Sequence, residues 1–524
     1  MSTSMMAASE IFGSEDEAIL EELDVPRYNR ESVYGHPCYQ PVRVEHSRVP
    51  VRVRGTLPSD LEGVYIRNGS NVQFDKPTVR AHIFNGAGML HVVQISAGSA
   101  HYSNTYIRTP RFLFEERIGR EVFPSSGDFF SSGLAGAKRM KLLARKQAAG
   151  LVPNWSALEA NSASTSIQVH HGRLYCLQGT GLPFMLNAKI EKGALLLDGT
   201  GQIQTWDGRL QVPFSAHPGI DPVSGDFYSV SVDSRSRSLW LTHLRHGMLV
   251  NSVNVHQFVD AADIPGIIHD CFLTENFIVV ADVSLRFSES NLLDGGPSLW
   301  RFNPEYNLRW GVIPRKFSTG DRVRWFECAK PAMLWHAVNG WEEEGVHGGR
   351  QIVLYAPAFD DYPPTVPIHT PEEPPARLTR WVLDLDSGKV VEETRVLEHG
   401  YERPSINRAW FGKKNRYAYL IDEEGEGYMG KGVLKYDLQA HEELAYVDYG
   451  GFYGGEALFV PRQGAVQEDD GYLLELLVSP TNAELLVLDA RSMQELARLE
   501  LPARVPFGVH ACWVTPRDLS ALAR

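Results

Sequence analysis

Cysteine is scarce in this sequence. Cys38, Cys176, Cys271, Cys328 and Cys512 stand far apart among 524 residues, odd in number and without a C-x-x-C pair. A disulfide framework and a thiolate zinc site are therefore not expected, and a reducing compartment fits. Positive charge is not in excess either: 51 Lys and Arg face 64 Asp and Glu, a net charge of −13. A nucleic-acid binder is usually basic, so no nucleic-acid partner is expected. No apolar run approaches the roughly 18–20 residues of a membrane-spanning helix. The start lacks the basic character of a targeting peptide: Glu10, Glu15, Asp16, Glu17, Glu21, Glu22 and Asp24 make it acidic. The expected location is cytoplasmic, or plastid if a presequence has been removed. What remains is ordinary globular composition, 43% hydrophobic and 22% charged.

Most of the chain reads as short strands. VYIRNG, DFYSVSV, SLWLTHL, NFIVVADV, QIVLYAP, YAYLID, YLLELLVS and AELLVLDA are β-branched and aromatic runs separated by Gly, Pro, Asn and Asp. Turn sequences such as Asp221–Asp226 (DPVSGD) and Asp386–Lys389 (DSGK) join them. Many short strands over most of a long chain suggest a sandwich, a barrel or a propeller, and ~40 residues per blade would give a large propeller. No clean blade-length repeat is visible. Residues 1–45 read as a partly disordered N-terminal arm and 46–524 as one all-β domain.

One segment departs from the strand pattern. Leu134–Leu151 (LAGAKRMKLLARKQAAGL) has helical spacing, with five cations, Lys138, Arg139, Lys141, Arg145 and Lys146, and no anion. It reads either as a solvated cover helix or as a basic amphipathic helix on a membrane surface. Phe129 and Phe130 precede it, so the membrane-facing set would be Phe129, Phe130, Lys138, Lys141 and Arg145 within an insertion at about 129–152.

Eighteen histidines are present, and most need no special role. Four lie in apolar or turn contexts beside strands: His217 in FSAHPGIDP, His269 in IIHDCFLTEN, His336 in MLWHAVNGWEE and His510 in FGVHACWV. No two share a helix-spaced pair, and no H-E-x-x-H occurs. A propeller can bring such distant residues to its axis, one from each inner strand. Neutral imidazoles there could hold Fe(II), Cu(II) or Zn(II).

These four contexts resemble those of the carotenoid cleavage oxygenase family. So do Gly63–Asn71 (GVYIRNGSN), His82–His91 (HIFNGAGMLH), Ser215–Gly225 (SAHPGIDPVSG), Trp325–Glu344 (WFECAKPAMLWHAVNGWEEE) and Tyr401–Asn407 (YERPSIN), in the family's order. The resemblance implies a seven-bladed β-propeller with a helical dome over the axial metal site. It also implies a non-haem Fe(II) centre on His217, His269, His336 and His510, and oxidative cleavage by O2 of a conjugated C=C bond in a carotenoid or apocarotenoid. The family's carboxylates behind its ligands match Glu402 and Glu456; a third falls near LYCLQGTGLP, where Gln178 and Gly179 have no charge, though the Gln178 amide oxygen could still accept a hydrogen bond. Asn85, Ala87 and Arg403 also depart from the family pattern. No protein nucleophile or base is nominated beyond the metal centre. A polyene substrate and peripheral membrane contact follow from the same reading. The rival readings are a stilbene dioxygenase, with Tyr106 handling the phenol, an isomerase that leaves the bond intact, and a non-catalytic propeller that binds an apolar ligand.

Overall fold

The structure, a computed structural model, describes residues 11–16, 36–74, 83–124, 134–258, 266–288, 298, 300–345, 348–362, 373–425 and 428–524. Its strands form antiparallel sheets arranged as a propeller. Five are separate four-stranded blades, starting at Ser166, Gly219, Cys271, Asn339 and Tyr401. Within a blade, burial follows position. In the blade that starts at Asn339, Arg350–Ala358 (RQIVLYAPA) is buried along most of its length, because blades cover it on both faces. The outermost strand, Lys389–Arg395 (KVVEETR), alternates and faces water. Neighbouring blades pack face to face: Trp310 and Trp381 are both buried, with ring centres 5.2 Å apart.

Seven separate blades are not what the sheets show. Among the described residues, Leu285–Phe287 and Trp300–Phe302 pair as a small two-stranded sheet, and the other nine strands form one continuous sheet. The reason is His46–Gly55, long enough to pair twice. Its first half lies against Ser99–Tyr106, and its second half, Arg52–Gly55, against Ala497–Glu500. It thereby fuses a four-stranded block (Leu458–Pro461, Gly471–Val478, Ala483–Asp489, Glu495–Glu500) to the N-terminal strands. At the other edge of that sheet the late strand Ala511–Val514 pairs with Gly63–Asn71. Early and late chain thus lie in the same sheet.

The inner strands near the axis are very short and crowded. Gly219–Ile220 has only two residues. A Cβ on Gly219 would lie 2.8 Å from Cγ of Leu273, on the next blade's inner strand. Glycine is needed there for space.

Among the described residues, three α-helices of seven or more residues accompany the strands. α1 (Pro110–Ile118) starts with Thr109 Oγ1 accepting the Phe112 N–H at 3.1 Å and ends at Gly119 with φ +80°. α2 is Leu134–Ala148, the helix expected from the sequence, ending three residues earlier than that reading. α3 (Pro516–Leu522) carries a capping box of Thr515 and Asp518. Leu142 and Leu143 of α2 pack with Phe114 and Ile118 of α1 and with Ile11 and Phe12. Asp16 pairs with Lys146 and with Arg145. Part of the N-terminal arm is therefore docked on α2. Among the described residues no helix is long and apolar enough to cross a membrane.

Candidate metal centre

The structure brings His217, His269, His336 and His510 together. One ring nitrogen from each lies within 4.8 Å of the others. Each histidine sits one to three residues before a strand: Gly219–Ile220, Cys271–Leu273, Asn339–Glu344 and Ala511–Val514. The chain turns toward the axis just before it enters each of these strands, so the imidazoles converge.

Two rings are held from behind by carboxylates. His336 Nδ1 lies 2.6 Å from Glu402 Oε2, and the His336 backbone N–H donates to Glu402 Oε1 at 3.3 Å. His510 Nδ1 lies 2.9 Å from Glu456 Oε2. These contacts turn the far nitrogens inward. The Nε2 atoms of His217 and His336 are buried without a hydrogen-bond partner. Orphaned buried nitrogens are costly unless something binds them, so the donor set fits a metal ion. His269 packs edge-on against Trp335, ring centres 5.2 Å apart.

The loops that carry the histidines are tied into a ring by side chains the sequence reading passed over. The Asn68 N–H donates to the His510 carbonyl at 3.2 Å, and its side chain donates to the Ser166 carbonyl at 2.8 Å. Ser166 Oγ donates to the Ala216 carbonyl at 2.6 Å. Ser215 Oγ accepts the His217 N–H at 2.9 Å and donates toward the His269 carbonyl at 3.4 Å. Asp270 accepts the Ala337 N–H at 3.0 Å. An Asn, two Ser and an Asp beside strands carry no periodic signal; only the fold places them.

The electrostatics favour the neutral ring at three of the four histidines. Burial, then the neighbouring imidazoles, push His217 and His269 well below the ordinary histidine range. Burial also lowers His510, although Glu456 opposes it. At His336 burial is outweighed by the Glu402 carboxylate, which holds that ring above the usual value. Burial raises Asp270 to about 6. A cavity of about 160 Å³ opens beside His217, His336 and His510, with Ile220, Ile406 and Phe459 in its wall and Asp270 and Glu456 as its carboxylates.

The other expected residues lie elsewhere. Gln178 Oε1 accepts the Ser162 N–H at 2.7 Å. Tyr106 is not in the wall of that cavity. Its ring packs at a tilt against Phe112, and its hydroxyl is held by Asn71 Nδ2 at 2.7 Å and by the Val42 carbonyl at 3.2 Å. Lys138, Lys141 and Arg145 are exposed on α2. Phe129 and Phe130 lie outside the described residues.

The profile of the family described as "Retinal pigment epithelial membrane protein" matches residues 39–515. The chain belongs to this family. It is the family whose carotenoid-cleaving members the motifs resemble. Two curated relatives span most of the chain. One is "9-cis-epoxycarotenoid dioxygenase NCED1, chloroplastic" of Oryza sativa subsp. japonica, 30% identical, covering 90% of this chain and 73% of that protein. The other is "Carotenoid 9,10(9',10')-cleavage dioxygenase 1" of Arabidopsis thaliana, 29% identical, covering 92% and 89%. Among solved structures, the Pseudomonas brassicacearum lignostilbene dioxygenase superimposes with a TM-score of 0.74 at 23% identity, covering 93% of this chain and 98% of that one. A Synechocystis apocarotenoid oxygenase mutant does so with 0.74 at 24%, covering 93% and 99%. The solved members support the fold of the family.

Proposed function

We propose that this protein is an Fe(II)-dependent dioxygenase that cleaves a conjugated C=C bond of a carotenoid or apocarotenoid to aldehyde or ketone products. The observation that carries the reading is the set of four converging imidazoles, two backed by carboxylates and two with orphaned inner nitrogens. The curated relatives named as carotenoid dioxygenases support it. Fe(II), when bound, supplies the redox chemistry that activates O2, which Zn(II) cannot.

The chain's own residues do the rest. His217, His269, His336 and His510 hold the ion without contributing charge. Glu402 and Glu456 fix the tautomers of His336 and His510 and balance the ion's two positive charges. The cavity wall combines Ile220, Ile406, Phe411 and Phe459 with Arg403 and Arg408, and its apolar part suits an apolar ligand. Regiochemistry then depends on where the walls hold the polyene, not on a protein nucleophile.

We further place α1 and α2 as the cap of the centre, with Lys138, Lys141 and Arg145 of α2 against an anionic membrane surface from which an apolar substrate enters. Relatives named as chloroplastic support a plastid setting for the same chemistry.

The test is incubation of the iron-loaded protein under O2 with a carotenoid, an apocarotenoid and a hydroxystilbene, with products identified by mass. Carbonyl fragments from a polyene are the expected result. Turnover of the hydroxystilbene alone would replace this substrate class with the phenolic one. Isomerised but uncut polyene would replace cleavage with isomerisation.

A further inference from the structure

Where the resemblance implies a third carboxylate behind the ligands, this chain has Gln178 and Gly179, neither of them charged. Gln178 brings no charge, and its oxygen accepts the Ser162 N–H. A carboxylate is nevertheless present on the His269 side of the centre. Asp270, the next residue in the chain, aims into the same cavity as His217, His336 and His510. It also borders the small cavity between His269, Trp335 and His336.

Its two oxygens are used in different directions. Oδ1 accepts the N–H of Cys271, the first residue of the strand after His269, at 2.7 Å. Oδ2 accepts the N–H of Ala337, the residue after His336, at 3.0 Å. One side chain therefore clamps two ligand-bearing loops to each other. A charged acceptor makes such bonds shorter and roughly twice as strong as neutral ones.

We propose that Asp270 is a positioning residue of the metal centre: it locks the His269 loop to the His336 loop and places a further carboxylate beside the ligands. The proposal rests on the four-histidine metal site proposed above and goes beyond it. Glu402 and Glu456 each act on one ring. Asp270 acts on the spacing between two ligands through the backbone, and on the charge of the whole site. Asparagine in its place would keep the shape and one acceptor oxygen. It would present an N–H₂ to one of the two backbone N–H groups, and the clamp would open on that side.

The test uses the full chain, stripped of metal and titrated anaerobically with Co(II), whose visible bands report ligand geometry. Wild type, Asp270→Asn, Gln178→Glu and the double variant are compared for cobalt affinity, band position and melting temperature of the metal-free form. Asp270→Asn is expected to weaken affinity about 10–100-fold and to shift the bands, with the metal-free melting temperature little changed. Gln178→Glu in the same chain is expected to restore part of the affinity by returning the charge. Wild-type affinity and bands in Asp270→Asn would overturn the assignment while leaving the centre standing. A wild-type protein that takes up no cobalt would overturn both. Should Asp270→Asn not fold, Asp270→Glu decides: it keeps the charge but displaces both oxygens, so weaker binding with shifted bands supports the clamp, and wild-type binding and bands overturn it.

Discussion

Replacing Glu402 by glutamine removes one charge from the centre and almost no volume. The His336–Glu402 contact is 2.6 Å long, and both side chains are buried. A hydrogen bond to a charged group contributes about 1.5–3 kcal/mol, against about 1 kcal/mol for a neutral one. The loss is thus about 0.5–2 kcal/mol of support for the ring orientation that faces the metal. At 1.4 kcal/mol per factor of ten, metal affinity should fall on the order of tenfold. That lies at the low end of the roughly 10–100-fold losses seen when such outer partners are changed. Glu402→Ala should do more. It leaves a buried imidazole unpaired, and breaking a buried pair costs about 3–5 kcal/mol of stability. The assay is competition for Fe(II) with a chromogenic chelator, run beside urea unfolding of the metal-free protein. Wild-type affinity in Glu402→Gln would refute the reasoning. So would an equal loss in an exposed-rim control such as Glu344→Gln.

Other perturbations test other links. Glu456→Gln should weaken metal binding by a similar factor through His510, read in the same competition. Gly219→Ala should lower stability by about 1–3 kcal/mol, because its methyl meets Leu273 between two histidine loops; an unchanged urea midpoint would contradict the packing argument. His170 is buried, accepts the Gly247 N–H at 3.1 Å, and is pushed from 6.5 to about 4 by burial first and His171 second. The unfolded chain takes up that proton earlier, so stability is full above pH 6.5 and falls as pH drops toward about 4. His170→Asn should flatten that decline in urea midpoint, and an equally steep decline would remove the assignment. Lys138→Glu, Lys141→Glu and Arg145→Glu together should reduce sedimentation with anionic liposomes; unchanged sedimentation would exclude α2 as the membrane face.

Parts of this structure were legible in the sequence. The strand runs stand where the blades place them, because β-branched and aromatic residues suit sheets that are buried on both faces. α2 was readable from its helical spacing, and its Leu142 and Leu143 are the residues that pack. The blade count was not readable. His46–Gly55 pairs on both edges, and no local pattern shows that one strand will join two blocks. Gly219–Ile220 is too short to register as a strand at all. The four histidines were separable from the other fourteen only by the wider motifs around them, since no spacing links them. Glu402 and Glu456 entered with those motifs. Asn68, Ser215 and Asp270 lie inside those motifs and Ser166 outside them, but their role was not legible, because they join loops that meet only in the folded chain.

The central claim is that these four imidazoles hold one divalent ion. The direct measurement is metal content after anaerobic loading with Fe(II) and desalting, in wild type and in single alanine variants of His217, His269, His336 and His510. One iron per wild-type chain, lost in each variant while the metal-free forms remain folded, is the predicted result. Iron retained in the His336→Ala and His510→Ala variants, or no iron in the wild type, would contradict it.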